Sequence, residues 1–151
     1  MRAIVLEKPP VGVTERRLTR RVHAVWEQLK GEKLPDWRTI RRADMNDDWA
    51  WCFAVDWRLS QRYPYFIYLG DQLSSFSNVF LSGARECETT LLEKATQWMS
   101  EAARDCAPSF HDDDVTLYDG RRALLRSVIL PLADDGETVT HILGAANGRF
   151  V

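Results

Sequence analysis

Apolar residues recur at helical spacing in two segments of the chain. In the first segment, Thr14 can cap a helix that runs to Lys30 and ends at Gly31. The second segment runs from Glu88 to Arg104 and carries a stripe of leucine, alanine, tryptophan and methionine. We predict an amphipathic helix in each. The apolar face of the first helix consists of Leu18, Val22, Val25, Trp26 and Leu29.

Strand patterns occupy most of the remaining chain. From Trp49 to Arg58, large apolar side chains alternate with other residues, which predicts a strand. The run from Tyr63 to Leu69 is apolar or aromatic on both faces and predicts a strand that is covered on both sides. Asp-Gly turns separate three further predicted strands, which are Val115 to Tyr118, Ala123 to Leu132 and Thr138 to Ala146.

The order of these elements predicts the fold class. A helix precedes two strands, and a helical middle, with short turns from Leu73 to Gly83, precedes the last three strands. This order lacks the strand-helix alternation of a doubly wound parallel sheet. We predict an α+β fold, in which a five-stranded antiparallel sheet has helices on one face and an N-terminal amphipathic helix. Residues 1–13 form a leader, residues 14–48 the N-terminal helix and its connection, and residues 49–151 the sheet domain.

The aromatic residues of the first predicted strand have two interpretations. Trp49, Trp51 and Trp57 either form the core or face outward on the sheet, where large apolar patches rarely stay exposed to water. We expect the first amphipathic helix to cover them. That helix belongs either to the same chain or to another copy of it.

Composition and charge restrict the partners. The chain has 151 residues, of which 45% are hydrophobic and 28% charged, as in one globular domain, and no apolar run is long enough to span a membrane. The net charge of -2 combines a basic segment up to Arg42 with an acidic remainder. A pI near 5.9 argues against nucleic-acid binding and favours a solvated helix face for the clustered arginines. These arginines are Arg16, Arg17, Arg20 and Arg21.

The cysteines and the N-terminus favour a cytoplasmic protein. Cys52, Cys87 and Cys106 are odd in number and widely spread, which indicates reduced thiols rather than a disulfide framework or a zinc site. The apolar stretch from Ala3 to Leu6 is too short for a signal-peptide core. We expect no membrane association.

No motif for catalysis or metal binding is present in the sequence. It has no nucleophile elbow, no phosphate-binding loop and no glycine-rich dinucleotide fingerprint, so we predict no catalytic residues. The run Asp112 to Asp114 supplies carboxylates of the kind that bind divalent cations, but three consecutive side chains cannot converge on one ion. We expect this run to be a loop that enters a strand, with His111 exposed in it. We expect Asp56 to be an exposed strand residue beside Arg58, whereas a buried face would make it a carboxylate with a perturbed pKa.

Several segments resemble one known family. In chain order they are Val25 to Gly31, Leu34-Pro35 with Arg38, Tyr65 to Gly70, Asp71 to Gly83, Arg126 to Gly136 and His141 to Ala145. In these segments the chain resembles the short bacterial single-domain PAS proteins that carry an N-terminal helix. The resemblance implies a PAS-like fold and a sensory role without catalysis. It also implies a homodimer that forms through the N-terminal helix, and in some members a small ligand between sheet and helices.

The resemblance identifies no cofactor. The photoreactive cysteine motif of flavin-binding relatives is missing, since Asn147-Gly148-Arg149-Phe150 has no cysteine and lies at the wrong end of the chain. His23, His111 and His141 lie in a basic helix, a predicted loop and a strand, which is not the signature of an axial haem ligand. Neither a flavin nor a haem is predicted.

A ligand cavity is expected between the sheet and the middle helices, where a few polar groups among aromatics would orient a small molecule. We select four candidates to line it, Phe66, Tyr68, Trp98 and Arg126. Arg126 is a charge within an otherwise apolar strand. Core packing is the alternative role for the aromatics, and a surface ion pair is the alternative for Arg126.

Two functions from different classes follow. The first is a stand-alone PAS-like sensory or regulatory domain that acts through protein-protein contacts, with room for a small ligand. Because the chain ends at Val151, soon after the last predicted strand, we expect a separate signalling protein to supply the output in trans. The alternative is a small α+β enzyme or small-molecule carrier that uses the same cavity, and turnover of a substrate would identify it.

Overall fold

Five antiparallel strands form one sheet in the part of the chain that the structure describes. The structure is a computed structural model, and it describes residues 17–61, 64–76, 96–116 and 120–151. The strands are β1 (Cys52–Asp56), β2 (Phe66–Leu69), β3 (Ser109–Thr116), β4 (Arg122–Leu132) and β5 (His141–Phe150). Their order across the sheet is β2-β1-β5-β4-β3, so β2 and β3 are its edges. The predicted five-stranded antiparallel α+β fold is confirmed.

Helices cover both faces of this sheet. They are α1 (Leu18–Leu29), α2 (Trp37–Ile40), α3 (residues 71–76) and α4 (Met99–Asp105). The 3-10 segments Asn46–Trp51 and Trp57–Leu59 flank β1. We call the face that contacts α1 and α2 the outer face, and the face that contacts α3 and α4 the inner face.

Helix α1 packs its apolar stripe on the outer face. Leu18, Val22 and Trp26 are completely or almost completely buried in one cluster with Val128 and Leu143 of the sheet. Each fully buried side chain of this kind contributes about 1.5–3 kcal/mol. The arginine-rich side of α1 faces solvent, because the stripe occupies only one side of the helix.

The inner face has its own apolar cluster. Phe53 of β1 and Ile129 of β4 pack there with Leu73 of α3 and with Met99 and Ala102 of α4. Successive strand residues point to opposite faces, so each central strand contributes to both clusters. The two clusters together bury the central strands on both sides.

The first strand is shorter than the predicted segment from Trp49 to Arg58. Strand β1 covers only the middle of that segment, and Trp49, Trp51 and Trp57 lie in the two 3-10 segments. The Tyr68 hydroxyl donates to the carbonyl oxygen of Trp49 at 2.7 Å. This tertiary hydrogen bond helps to hold the backbone in a tight turn that the alternating pattern does not encode.

Strand β2 lies at the edge of the sheet. The prediction that both of its faces are covered is wrong, because Ile67 and Leu69 are exposed. A shift in its register against β1 directs Phe66 to the inner face and Tyr68 to the outer face. One short strand thus supplies an aromatic side chain to each cluster. The side chains of the strand and its flank that remain exposed are Tyr65, Ile67 and Leu69.

Strand β3 begins earlier than predicted, because the segment expected to be a loop pairs with β4. Ser109 lies opposite Ile129, and the pairing continues without interruption to Thr116. The Asp112 to Asp114 run is therefore part of a strand, and His111 is a strand residue with a largely buried side chain. Tyr118, the predicted end of this strand, lies outside the described residues.

The helix boundaries also differ from the predicted ones. Helix α1 begins at Leu18, with Arg17 in an extended conformation before it, whereas Thr14 lies outside the described residues. Helix α4 begins after Trp98 and ends at Cys106, which adopts a left-handed conformation with φ 51°. The leader, Arg16, Cys87 and residues 77–95 of the predicted helical middle lie outside the described residues.

Candidate functional site

The four residues predicted to line a cavity lie on opposite faces of the sheet. Phe66 and Trp98 pack on the inner cluster, whereas Tyr68 packs on the outer cluster. Arg126 also lies on the outer side, where its Nε donates to Asp112 Oδ1 at 3.0 Å. Both members of this ion pair are largely exposed. The structure places two of these residues on each face and does not bring the four together around one cavity.

A polar cluster joins α4 to β3 on the inner face. The ring of Trp98, the residue before α4, stacks on His111 with centroids 4.5 Å apart and planes 11° apart. The Ser109 hydroxyl donates to Glu101 Oε1 at 2.8 Å and contacts His111 Nε2 at a short distance. Trp98 and Glu101 belong to the helix side, and Ser109 and His111 to the sheet. The cluster therefore fixes the position of α4 relative to the sheet edge.

The hydrogen bonds of this cluster determine the protonation of its histidine. The Ser109 hydroxyl has one proton and uses it in the hydrogen bond to Glu101. In its contact with Ser109 Oγ, His111 Nε2 must therefore be the donor and carry a proton. Burial lowers the pKa of His111, and the nearby carboxylates of Glu101, Asp113 and Asp112 oppose this shift without reversing it. His111 is thus neutral at pH 7.

Two buried polar atoms beside this cluster have no hydrogen-bond partner in the described structure. They are Nε1 of Trp98 and Oγ of Ser127. Ser127 is 5% exposed and lies directly opposite His111 in the β3-β4 register, while Trp98 stacks on the same His111. An unsatisfied buried group costs about 1–3 kcal/mol. Such groups are rare in native proteins.

A cavity of about 580 Å³ opens at the N-terminal end of α4. This volume lies within the range of about 300–1,000 Å³ that is usual for small-molecule sites. Met99, which lines the cavity, follows Trp98 directly, so the cavity and the polar cluster share the first turn of α4. The cavity is lined by Trp57, Arg58, Ser60, Gln61, Pro64, Thr96, Met99 and Ser100.

A second, larger groove lies on the outer face where α1 begins. Its volume is about 820 Å³, and Arg126, Asn147 and Arg149 line it together with Asp112 and Asp114. Positive and negative side chains occur together here, and Arg126 is paired with Asp112. The structure therefore places Arg126 at a mixed-charge surface groove, away from the inner-face cluster.

The side chains predicted to form a dimer or helix interface contact the outer face of their own chain. Leu18 and Val22 are buried there, and Trp26 Nε1 donates to the carbonyl oxygen of Pro131 at 2.9 Å. Val25 is half-buried, and Leu29 is exposed. The apolar stripe of α1 is thus largely occupied within one chain.

The described residues contain no group of three or more His, Cys, Asp or Glu side chains that could hold a metal ion. Burial raises the pKa of the Cys52 thiol, which keeps it protonated, and Cys106 is exposed. Asp56 forms an ion pair with Arg58 at 3.0 Å, which holds the pKa of Asp56 below its usual value. The expectation that Asp56 is exposed is wrong, because its side chain is only 13% exposed. None of the helices in the described ranges is long and apolar enough to cross a membrane.

Sequence reasoning identified Trp98 but missed Ser127, Ser109 and the cavity at the start of α4. For Ser127 a signal existed, because a hydroxyl interrupts the apolar run of β4. For Ser109 and His111 the signal was lost when the segment was assigned to a loop. Trp57 and Gln61 carried no signal, since only the turn after β1 brings them to α4.

Of the comparisons with known proteins, only the one with solved structures finds similar chains. No protein-family model matches the chain, and no curated protein matches it. Among solved structures it is similar to a fungal LOV domain photoreceptor, with 16% identity, a TM-score of 0.44 and coverage of 70% of this chain and 80% of that one. It is also similar to a variant of Vivid, with 13% identity, a TM-score of 0.44 and coverage of 92% and 96%.

A third similar structure is a sensory box sensor histidine kinase from Vibrio cholerae, with 14% identity, a TM-score of 0.37 and coverage of 64% of this chain and 76% of that one. The antiparallel sheet in the order β2-β1-β5-β4-β3, with helices on both faces, gives the described part of the chain an α+β fold.

Proposed function

We propose that this chain is a PAS-like sensory or regulatory domain that holds a small ligand between its inner face and α4. The observation that carries the proposal is the pair of unpartnered buried atoms, Trp98 Nε1 and Ser127 Oγ. The indole N–H is a donor only, and the hydroxyl can donate as well. A ligand with a hydrogen-bond acceptor, such as a carbonyl or carboxylate oxygen, would satisfy these atoms.

The neighbouring cavity supports a ligand with a flat apolar part. Trp57 offers an aromatic surface, while Arg58, Gln61 and Ser100 offer polar groups around it. This is the usual composition of a small-molecule site, in which few polar groups fix orientation. The proposed ligand is therefore a small planar molecule with at least one acceptor oxygen.

The polar cluster would couple this ligand to the rest of the domain. Trp98 and Glu101 are on the helix side, and Ser109 and His111 are on the sheet. A ligand that binds Trp98 acts on the same turn that these contacts hold. It changes the position of α4 only if it binds one position more tightly than the other. The altered surface would then be recognised by a separate signalling protein.

The same cluster supports a role without catalysis. In hydrolases a histidine accepts the proton of the nucleophilic serine. Here Glu101 accepts the hydrogen bond of the Ser109 hydroxyl, and His111 Nε2 donates to the serine oxygen instead. The proposal further includes a cytoplasmic homodimer, which the sequence resemblance supports.

The test compares two tryptophans in a ligand screen. Native mass spectrometry and thermal unfolding of the full chain with a library of planar carboxylates and carbonyl compounds should identify a ligand that raises the Tm. Trp98→Phe removes the unpartnered N–H, so the ligand-induced shift, measured from the Tm of the free variant, should fall to less than half.

The matched control is Trp49→Phe, because Trp49 Nε1 donates to the carbonyl of Ala43 at 2.9 Å. This variant should lose about 0.5–1.5 kcal/mol of stability and keep the full ligand-induced shift. If no compound binds, or if both variants respond equally to the ligand, the proposed site is wrong.

A further inference from the structure

The two edge strands of the sheet differ in charge. Strand β3 carries three consecutive carboxylates, Asp112, Asp113 and Asp114. The segment 64–70, which contains β2, carries no charged side chain. Charged residues on an edge prevent it from pairing with the edge of another sheet. The β3 edge has this protection, and the β2 edge does not.

Exposed apolar side chains are concentrated at the β2 edge. Of the eight exposed large hydrophobic residues among the described ones, four lie here. The Tyr65 backbone N–H donates to Ser60 Oγ at 2.9 Å, which places the turn before β2 beside the strand. Contiguous exposed apolar surface of this kind marks an interaction site. The four residues are Leu59, Tyr65, Ile67 and Leu69, with exposed fractions of 57%, 53%, 39% and 38%.

We propose that β2 is the interface of a homodimer, in which the β2 strand of a second copy pairs antiparallel with it. This assignment rests on the homodimer of the proposed function and names its surface. Among the described strands β2 pairs with β1 alone, and no other described strand lies along its second edge. The apolar stripe of α1, the surface that the sequence suggested, is largely occupied within the chain.

Charge complementarity at the ends of the strand favours a second copy as the occupant. Arg58 lies at the Tyr65 end, because the Asp56 N–H donates to the Tyr65 carbonyl, and it is 55% exposed while it pairs with Asp56 of its own chain. Exposed Asp71 follows the other end. Antiparallel pairing brings the Asp71 end of each copy to the Arg58 end of the other. The attraction occurs twice around the two-fold axis, and the assembly closes at two chains.

The other edge pairings are less favourable. Two β3 edges would bring like charges together, since each carries Asp112, Asp113 and Asp114. Pairing of β2 with β3 is a head-to-tail contact, which produces open filaments when it does not close into a ring. Only the β2-β2 arrangement pairs strands without charged side chains and also closes at two chains.

Analytical ultracentrifugation of the full chain over a range of concentrations tests the assignment. The wild-type protein should be a dimer in equilibrium with monomer. Ile67→Lys places two positive charges at the centre of the interface and should raise the dissociation constant at least tenfold. The control is Leu29→Lys, at a side chain of matched 38% exposure on α1, which should leave the dissociation constant within twofold of the wild-type value.

Hydrogen exchange of the wild-type chain provides a second measurement that requires no variant. The amides of β2 should exchange more slowly at high than at low protein concentration, and those of β3 should be unchanged. A wild-type protein that stays monomeric overturns both this interface and the proposed homodimer. A dimer that Ile67→Lys leaves intact, or whose β2 amides show no added protection, overturns the β2 interface alone.

Discussion

The two faces of the sheet differ in the hydrogen bonding of their buried polar atoms. On the outer face three aromatic polar groups have a partner: Trp26 Nε1 donates to Pro131, Trp49 Nε1 to Ala43 and the Tyr68 hydroxyl to Trp49. On the inner face, Trp98 Nε1 and Ser127 Oγ have none. Yet both faces bury apolar clusters of similar size. The difference thus concerns hydrogen bonding and not apolar packing.

This difference indicates a division of roles between the faces. A sequence that specifies a stable fold satisfies its buried polar groups, and departures from this rule tend to coincide with functional sites. The outer face follows the rule and holds α1 in place. The inner face departs from it beside a cavity and beside the helix α4. Under the proposed function, the outer face has the structural role and the inner face holds the ligand.

The largest expected effect comes from removing the main anchor of the outer face. Trp26→Ala deletes a completely buried side chain and its hydrogen bond to the Pro131 carbonyl, so we expect a loss of about 3–5 kcal/mol in the free energy of unfolding. Urea unfolding measures it. Leu29→Ala on the same helix is the control and should change stability by less than about 0.5 kcal/mol. A Trp26→Ala protein as stable as the control would contradict the structural role of this face.

The outer face was also the more predictable of the two. The spacing of Leu18, Val22 and Trp26 encodes an amphipathic helix directly, and the need to cover an apolar sheet predicts what it contacts. The details that sequence missed depend on tertiary contacts. The 3-10 turn at Trp49 is held by Tyr68, which lies far along the chain, and the bulge that splits Phe66 from Tyr68 depends on pairing with β1.

Removal of one hydroxyl from each face should change the free energy of unfolding in opposite directions, and by less than Trp26→Ala does. Tyr68→Phe removes a hydroxyl that donates to Trp49 and should lower stability by about 0.5–1.5 kcal/mol. Ser127→Ala removes a buried hydroxyl without a partner and should raise stability by up to about 1 kcal/mol in the absence of ligand. Denaturant midpoints of the two variants measure both changes. Destabilisation by Ser127→Ala would show that its hydroxyl is already satisfied in the free protein.

The inner-face site was harder to predict because it is formed by contacts between elements that are separate in the sequence. Trp98 was identified from its place in a helical stripe, but its stacking on His111 depends on β3 beginning at Ser109. Three consecutive aspartates made that strand look like a loop. They are compatible with a strand because Asp112 and Asp114 face solvent beside Arg126 and Arg122. Charged residues on an edge strand hide the apolar pattern by which a buried strand is recognised in a sequence.

The smallest expected effect is a pH dependence to which each face contributes through one histidine. Burial lowers the pKa of His111 on the inner face and of His23 on the outer face. The unfolded chain therefore binds protons near pH 6.5 that the folded chain does not. Stability should fall as the pH decreases below about 6.5 and level off below the folded-state pKa values.

Urea unfolding between pH 5 and 7.5 measures this slope, and His111→Gln and His23→Gln should each remove part of it. The carboxylates with lowered pKa values, such as Asp56 and Asp114, titrate below this range and do not contribute. A ligand that binds beside Trp98 should change the contribution of His111 and leave that of His23 intact, because only His111 stacks on Trp98, whereas His23 stacks on Trp26. Equal changes at both histidines would mean that the two faces do not differ in role.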